Sequence, residues 1–106
     1  EIVDAVGKDA TIFFDGGVMR GTDVVKALSL GADIVGIGRL QGLAAAAGGS
    51  AAIYRMLELL ELEIITCLRL LGVNDVSELN SKLLTKDESF GSLDVLSAFP
   101  LINEGY

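Results

Sequence analysis

Two short runs of β-branched and aromatic residues, each closing in a glycine turn, alternate with stretches of helical period. Thr11-Ile12-Phe13-Phe14 runs into Asp15-Gly16-Gly17, and Asp33-Ile34-Val35-Gly36-Ile37 runs into Gly38-Arg39. Short apolar runs without polar alternation fit strands covered on both faces, as in a parallel sheet. Between them Val24, Val25, Ala27, Leu28 and Leu30 recur at helical spacing, with Thr22 or Asp23 available as N-cap and Gly31 as the stop. Downstream, Leu40 to Ala47 predicts a short helix, Gly48-Gly49 interrupts it, and Ser50 can cap a long helix. The stripe of that helix is Ile53, Leu57, Leu60, Ile64, Cys67, Leu68 and Leu71, and Gly72 ends it. Glu1 to Gly7 reads as the last turns of a helix, Asn74 to Leu79 as a turn entering a short one, and Thr85 to Tyr106 has no period.

This order of elements predicts α/β architecture with parallel strands. Two parallel strands cannot cover their own faces and edges, so the chain is expected to self-associate or to pack against the rest of a larger sheet. An opening in mid-helix points the same way, to one piece of a longer protein. Composition sharpens the expectation, because 51% of the 106 residues are hydrophobic. Yet no run reaches the roughly 18 to 20 apolar residues of a membrane span. A net charge of −7, with the acids spread along the chain, argues against a nucleic-acid partner. One cysteine, Cys67, allows no internal disulfide, and no secretory leader pattern opens the chain, which suggests a cytoplasmic or other reducing intracellular setting. Histidine is absent, which removes the commonest general base and the commonest metal ligand.

The chemistry-bearing positions are the two glycine turns. Placed at the C-terminal ends of adjacent strands, with a short helix after the second, they make the phosphate site of a (β/α)8 barrel, where backbone amides and a helix N-terminus face the anion. A single Gly-Gly turn is explained by turn geometry alone. Two in register, followed by Arg39 and a small-residue helix, favour a ligand. Lys26 and Arg55 read as solvated surface charges, Cys67 as a small core residue, and Leu62 as exposed because it lies nearly opposite the apolar stripe.

The stretch Asp15-Gly16-Gly17-Val18-Met19-Arg20-Gly21-Thr22-Asp23-Val24-Val25-Lys26-Ala27-Leu28, then Leu30-Gly31-Ala32, Gly36-Ile37-Gly38-Arg39 and Leu68-Arg69-Leu70-Leu71-Gly72-Val73, resembles the C-terminal part of a known family. These are the FMN-dependent 2-hydroxy-acid dehydrogenases and oxidases, which include glycolate oxidase, mandelate dehydrogenase and the lactate-dehydrogenase flavocytochrome. The resemblance covers about residues 1 to 84. It implies the C-terminal quarter of a TIM barrel, from the end of helix six through helix eight and including strands seven and eight, with residues 85–106 as an extended tail. It also implies FMN as cofactor and oxidation of a 2-hydroxy acid to the 2-oxo acid by the full-length protein. Asp15 would contact the ribityl chain, and amides near Gly16, Gly17, Gly38 and Arg39 would hold the FMN phosphate.

The family pattern after Asp-Gly-Gly-Val is Arg-Arg-Gly, whose first arginine bonds the phosphate. Here Met19 stands in its place, and Arg20 matches the second, more structural arginine. Leu40 replaces a usual proline, and Leu62 and Ile65 replace usual polar residues. The family's histidine base and carboxylate-binding arginine belong to earlier strands, so no catalytic residue is expected in this chain. Two alternatives stand beside this reading. One is a self-associating phosphate-binding module without catalysis. The other is a fragment of a different phosphate-binding barrel, such as an IMP dehydrogenase or isopentenyl-diphosphate isomerase relative, which the Leu-Leu-Gly-Val ending disfavours.

Overall fold

The structure of the protein, a computed structural model, describes residues 2–85. The tail expected over residues 85–106 lies, from residue 86 on, outside the described residues. In chain order the elements are α1 (Ile2–Val6), β1 (Phe13–Asp15), α2 (Gly21–Ser29), β2 (Ile34–Gly36) and α3 (Arg39–Leu71), with single 3-10 turns at Gly7–Asp9, Val76–Glu78 and Ser81–Leu83. β1 and β2 pair in parallel, with Phe13 opposite Ile34, Phe14 opposite Val35 and Asp15 opposite Gly36. The predicted order of strand, helix, strand, short helix and long helix is therefore present. Asp33 sets where pairing begins: its Oδ2 accepts from the Ile12 amide at 2.7 Å, while its own amide donates to the Ile12 carbonyl at 2.9 Å.

α3 runs through the glycine pair, but Gly48 and Gly49 are non-helical, so it consists of two arms, residues 39–47 and 50–71. Gly72 ends it in the left-handed conformation that a side chain would strain. The helix after β1 starts two or three residues earlier than the sequence suggests. Arg20 occupies the N-cap, so Thr22 and Asp23 fall inside the first turn. Asp23 still caps, from the third helical position, with its Oδ2 accepting from the Met19 and Arg20 amides at 3.1 and 3.0 Å.

The core lies where α2 meets the second arm of α3. Val18, Val25, Ala27, Met56 and Leu60 are the buried apolar residues among those described. Of the stripe expected on α3, Leu60 is buried and Ile53, Ile64, Cys67 and Leu68 are half-buried, while Leu57 and Leu71 are exposed. Met56 takes the buried place instead. The expectation of two buried strands is corrected in the same way, since Phe13 is 69% exposed, Phe14 43% and Ile34 45%. The physical reason is common to both. Among the described residues α2 and α3 pack on a two-stranded sheet, and α1 and residues 79–81 only border an open pocket beside Phe13 and Phe14, so much of the apolar surface stays uncovered.

Gly21 shows how tightly the two helices meet. A Cβ built there would stand 2.5 Å from Glu63 Cβ, 2.7 Å from the Ile64 nitrogen and 2.9 Å from the Leu60 carbonyl oxygen. Two of these three obstacles are backbone, so no side-chain rotation relieves them. Gly21→Ala is therefore expected to destabilise the chain by about 1–3 kcal/mol through overpacking, although helix propensity alone would favour alanine by about 1 kcal/mol. Urea unfolding followed by circular dichroism reads the sign directly; an alanine variant as stable as the parent would show that α2 does not approach α3 this closely.

Candidate functional site

Both strands end facing the same way, and their C-terminal turns form one cavity of ≈ 250 Å³ lined by Asp15, Gly16, Gly17, Val18, Met19, Gly38 and Arg39. Six of the seven residues singled out in the sequence thus meet in one place. Gly16 and Gly17 have φ of 123° and 71°, which residues with a side chain rarely adopt, so the turn after β1 depends on glycine. A Cβ at Gly16, Gly17 or Gly38 would meet no atom within 4 Å. Those positions leave open the space beside the backbone that a ligand requires. Gly36 has a different task. A Cβ there would meet Asp15 Cβ and Cγ at 3.2 Å, so its absence lets the Asp15 side chain lie across β2.

The chemistry of the lining is mixed. Arg39 opens α3, and among the described residues its guanidinium forms no ion pair, whereas Arg20, Lys26 and Arg55 are each paired with a carboxylate. One uncommitted cation at the N-terminal end of a helix, beside two glycine turns, provides for an anion. Met19 adds apolar surface and no charge. On its other side it also lines a mostly apolar groove of ≈ 430 Å³ between the two arms of α3, with Leu40, Leu43, Ala47 and Met56.

Arg20 is the seventh residue, and the structure does not bring it into the cavity. Its Nε donates to Glu63 Oε1 at 2.8 Å and its NH2 lies 2.8 Å from the same oxygen, while Glu63 Oε2 accepts from the Gly21 amide at 2.7 Å. The amides of Met19, Arg20 and Gly21 are consequently taken by the chain's own carboxylates, Asp23 and Glu63. An anion in the cavity is left to the turn before them and to the first turn of α3. Sequence reasoning missed Glu63 altogether. The available signal was a carboxylate flanked by Leu60 and Ile64, at the edge of the apolar stripe rather than opposite it. Among the described residues there is no cluster of His, Cys, Asp or Glu that could hold a metal ion, and no helix long and apolar enough to cross a membrane.

With this geometry in hand, the chain can be set beside known proteins. Residues 1–86 match the family model described as FMN-dependent dehydrogenase. An L-lactate dehydrogenase of Caulobacter vibrioides is 44% identical over 85 residues, which make up 80% of this chain and 22% of that protein. An L-lactate dehydrogenase (cytochrome) of Wickerhamomyces anomalus is 51% identical over 73 residues, 69% of this chain and 13% of that protein. Among solved structures, the recombinant flavin-binding domain of baker's yeast flavocytochrome b2 superposes with a TM-score of 0.75 at 38% identity, covering 99% of this chain and 27% of that one. The chain spans about a quarter or less of the length of these proteins.

The Glu63 junction makes a testable contribution to stability. The Arg20 guanidinium, and after it the Gly21 amide, hold the Glu63 carboxyl below its ordinary value of 4.5, against burial and the nearby charge of Asp23. A carboxyl whose folded value is depressed stabilises the fold above its unfolded value, and this contribution is lost as pH falls through the folded one. Glu63→Gln is therefore expected to lower the thermal midpoint at neutral pH, with the gap to the parent closing as pH drops below about 4.5. A gap that stays constant from neutral pH into acid would mean that the carboxylate's charge plays no part.

Proposed function

Because the chain belongs to the FMN-dependent dehydrogenase family, we propose that it forms the phosphate end of the flavin site in a protein that oxidises a 2-hydroxy acid of the lactate class to the 2-oxo acid. The observation that carries this reading is the single cavity at the ends of both parallel strands, shared by the Asp15-Gly16-Gly17 turn and by Gly38-Arg39. The lactate dehydrogenases among the relatives support the substrate class. β1 and β2 would be strands seven and eight of a (β/α)8 barrel, the first arm of α3 the phosphate helix and the second arm helix eight. The exposed strands support this, since the missing cover is what neighbouring strands and helices of a barrel supply.

The residues present fit the FMN phosphate. The open space beside Gly16, Gly17 and Gly38 lets the backbone approach an anion closely, and Arg39 supplies charge. The carboxylate of Asp15, at the end of β1, would accept hydrogen bonds from hydroxyls of the ribityl chain. When bound, FMN takes up the two electrons removed from the hydroxy acid. The chain's part is to bind and orient, not to move the substrate's proton. It has no histidine, and by the family resemblance the base and the carboxylate-binding arginine would lie on earlier strands. A self-associating module that binds phosphate without catalysis is the second reading, favoured by the same exposed sheet.

Two outcomes are expected. Supplied with FMN, the chain alone should not oxidise lactate, glycolate or mandelate at ordinary enzyme rates, because loss of the general base alone costs a factor of about 10² to 10⁴. Bleaching of the flavin by substrate would overturn this. Met19→Arg should bind inorganic phosphate or FMN more tightly, since a charge-assisted hydrogen bond is worth about 1.5–3 kcal/mol, or roughly 10- to 150-fold in affinity. Equal affinities in a titration of the two proteins would show that residue 19 does not face the anion.

A further inference from the structure

Glu63 lies outside the cavity, yet it grips the chain leading out of it. The turn at residues 16–18 contains two glycines with positive φ and so has little stiffness of its own. Its placement depends on its two ends. One end is β1, paired with β2. The other is residues 19–21, whose three amides are held by Asp23 and Glu63. Asp23 belongs to α2, so it ties the turn only to the helix that follows. Glu63 belongs to the second arm of α3, which shares a groove lined by Met19 with the first arm, and that first arm opens at Arg39 and Gly38 on the opposite wall of the cavity.

We propose that Glu63 is a positioning residue for the anion site: by holding Arg20 and the Gly21 amide, it fixes the 16–19 turn against α3 at the separation the anion needs. The inference rests on the anion-site reading given above. It can be told from direct electrostatics by its sign. A carboxylate near an anion site repels the anion, so removing its charge should strengthen binding if charge alone matters. Freeing Arg20 to swing toward the cavity would strengthen it further. Positioning demands the reverse. Glutamine at residue 63 keeps the size but has one acceptor oxygen, so it cannot serve the guanidinium and the Gly21 amide together.

The test is calorimetric titration of inorganic phosphate, and of sulfate as a second probe, into the chain and its Glu63→Gln, Arg20→Gln and doubly substituted variants. Amide NMR at Gly16, Gly17 and Gly38 locates the binding. Each single variant is expected to bind about tenfold more weakly with helix content unchanged, and the double variant no more weakly than the worse single, because the two side chains act as one unit. If the parent binds and Glu63→Gln binds as well or better, the positioning role falls while the anion site stands. If the parent shows no phosphate-induced shifts at those glycines, both fall. Should Glu63→Gln fail to fold, Arg20→Gln decides alone, since that side chain is 70% exposed; unchanged affinity there overturns the proposal.

Discussion

The contact between Gly21 and the second arm of α3 is the constraint on which the rest of the arrangement depends. A helix can approach another helix's backbone this closely only where it lacks a side chain, and at Gly21 a Cβ would stand 2.7 Å from the Ile64 nitrogen. The close approach puts the Gly21 amide within 2.7 Å of Glu63 Oε2, which satisfies a donor that the first turn of α2 leaves unpaired. The neighbouring guanidinium of Arg20 then neutralises the carboxylate. Packing, helix capping and ion pairing therefore act at one point, and that point sits directly after the turn that lines the cavity. α2 could not be displaced along α3 without breaking all three.

A second constraint acts from outside the described chain. The parallel ladder pairs only three residues of each strand, and the apolar side chains on it remain largely exposed. Parallel sheets persist where both faces and both edges are covered, and the described residues cover this one incompletely. Under the reading proposed above, the exposure of Phe13, Phe14 and Ile34 marks where the other strands of a barrel pack. The same logic explains the α3 stripe. Leu60 meets α2 and is buried, while Leu57, with Val24, Val35 and Ile37, lines an open pocket beside β2.

What was legible in the sequence was whatever local chemistry decides. The apolar runs before Asp15-Gly16-Gly17 and Gly38-Arg39 marked both strands, and the Gly48-Gly49 break separated the two arms of α3, because these depend on β-branched side chains and glycine conformation alone. The cavity was legible because residues at the ends of paired parallel strands must converge. Burial was less legible. Helical period names a stripe but not which of its members has a partner, so Met56 displaced Leu57 in the core. Glu63 escaped notice because its meaning is entirely tertiary: 42 residues separate it from the amide it accepts from. Its place at the edge of the apolar stripe was a weak local hint, and only the close approach at Gly21 selects it.

Under the reading proposed above, the division of the backbone amides would let a turn with two acids close behind it serve an anion. Asp23 and Glu63 take the amides of Met19, Arg20 and Gly21, so the positive end of α2 is already compensated within the chain. The N-terminus of α3 is treated differently. Its N-cap is Gly38, which has no side chain with which to cap, and no acid stands in its first turn. Of the two helices that begin beside the cavity, one is thus closed by carboxylates and the other is left to a cation, Arg39, and to glycine. An anion entering the cavity competes with no protein carboxylate for the α3 amides. Asp15, at the end of β1, is the one acid in the lining, and it lies where hydroxyl groups rather than phosphate oxygens would suit it. Under the reading proposed above, the asymmetry would direct an anion toward α3 and leave the hydrogen-bond acceptor Asp15 toward the sheet.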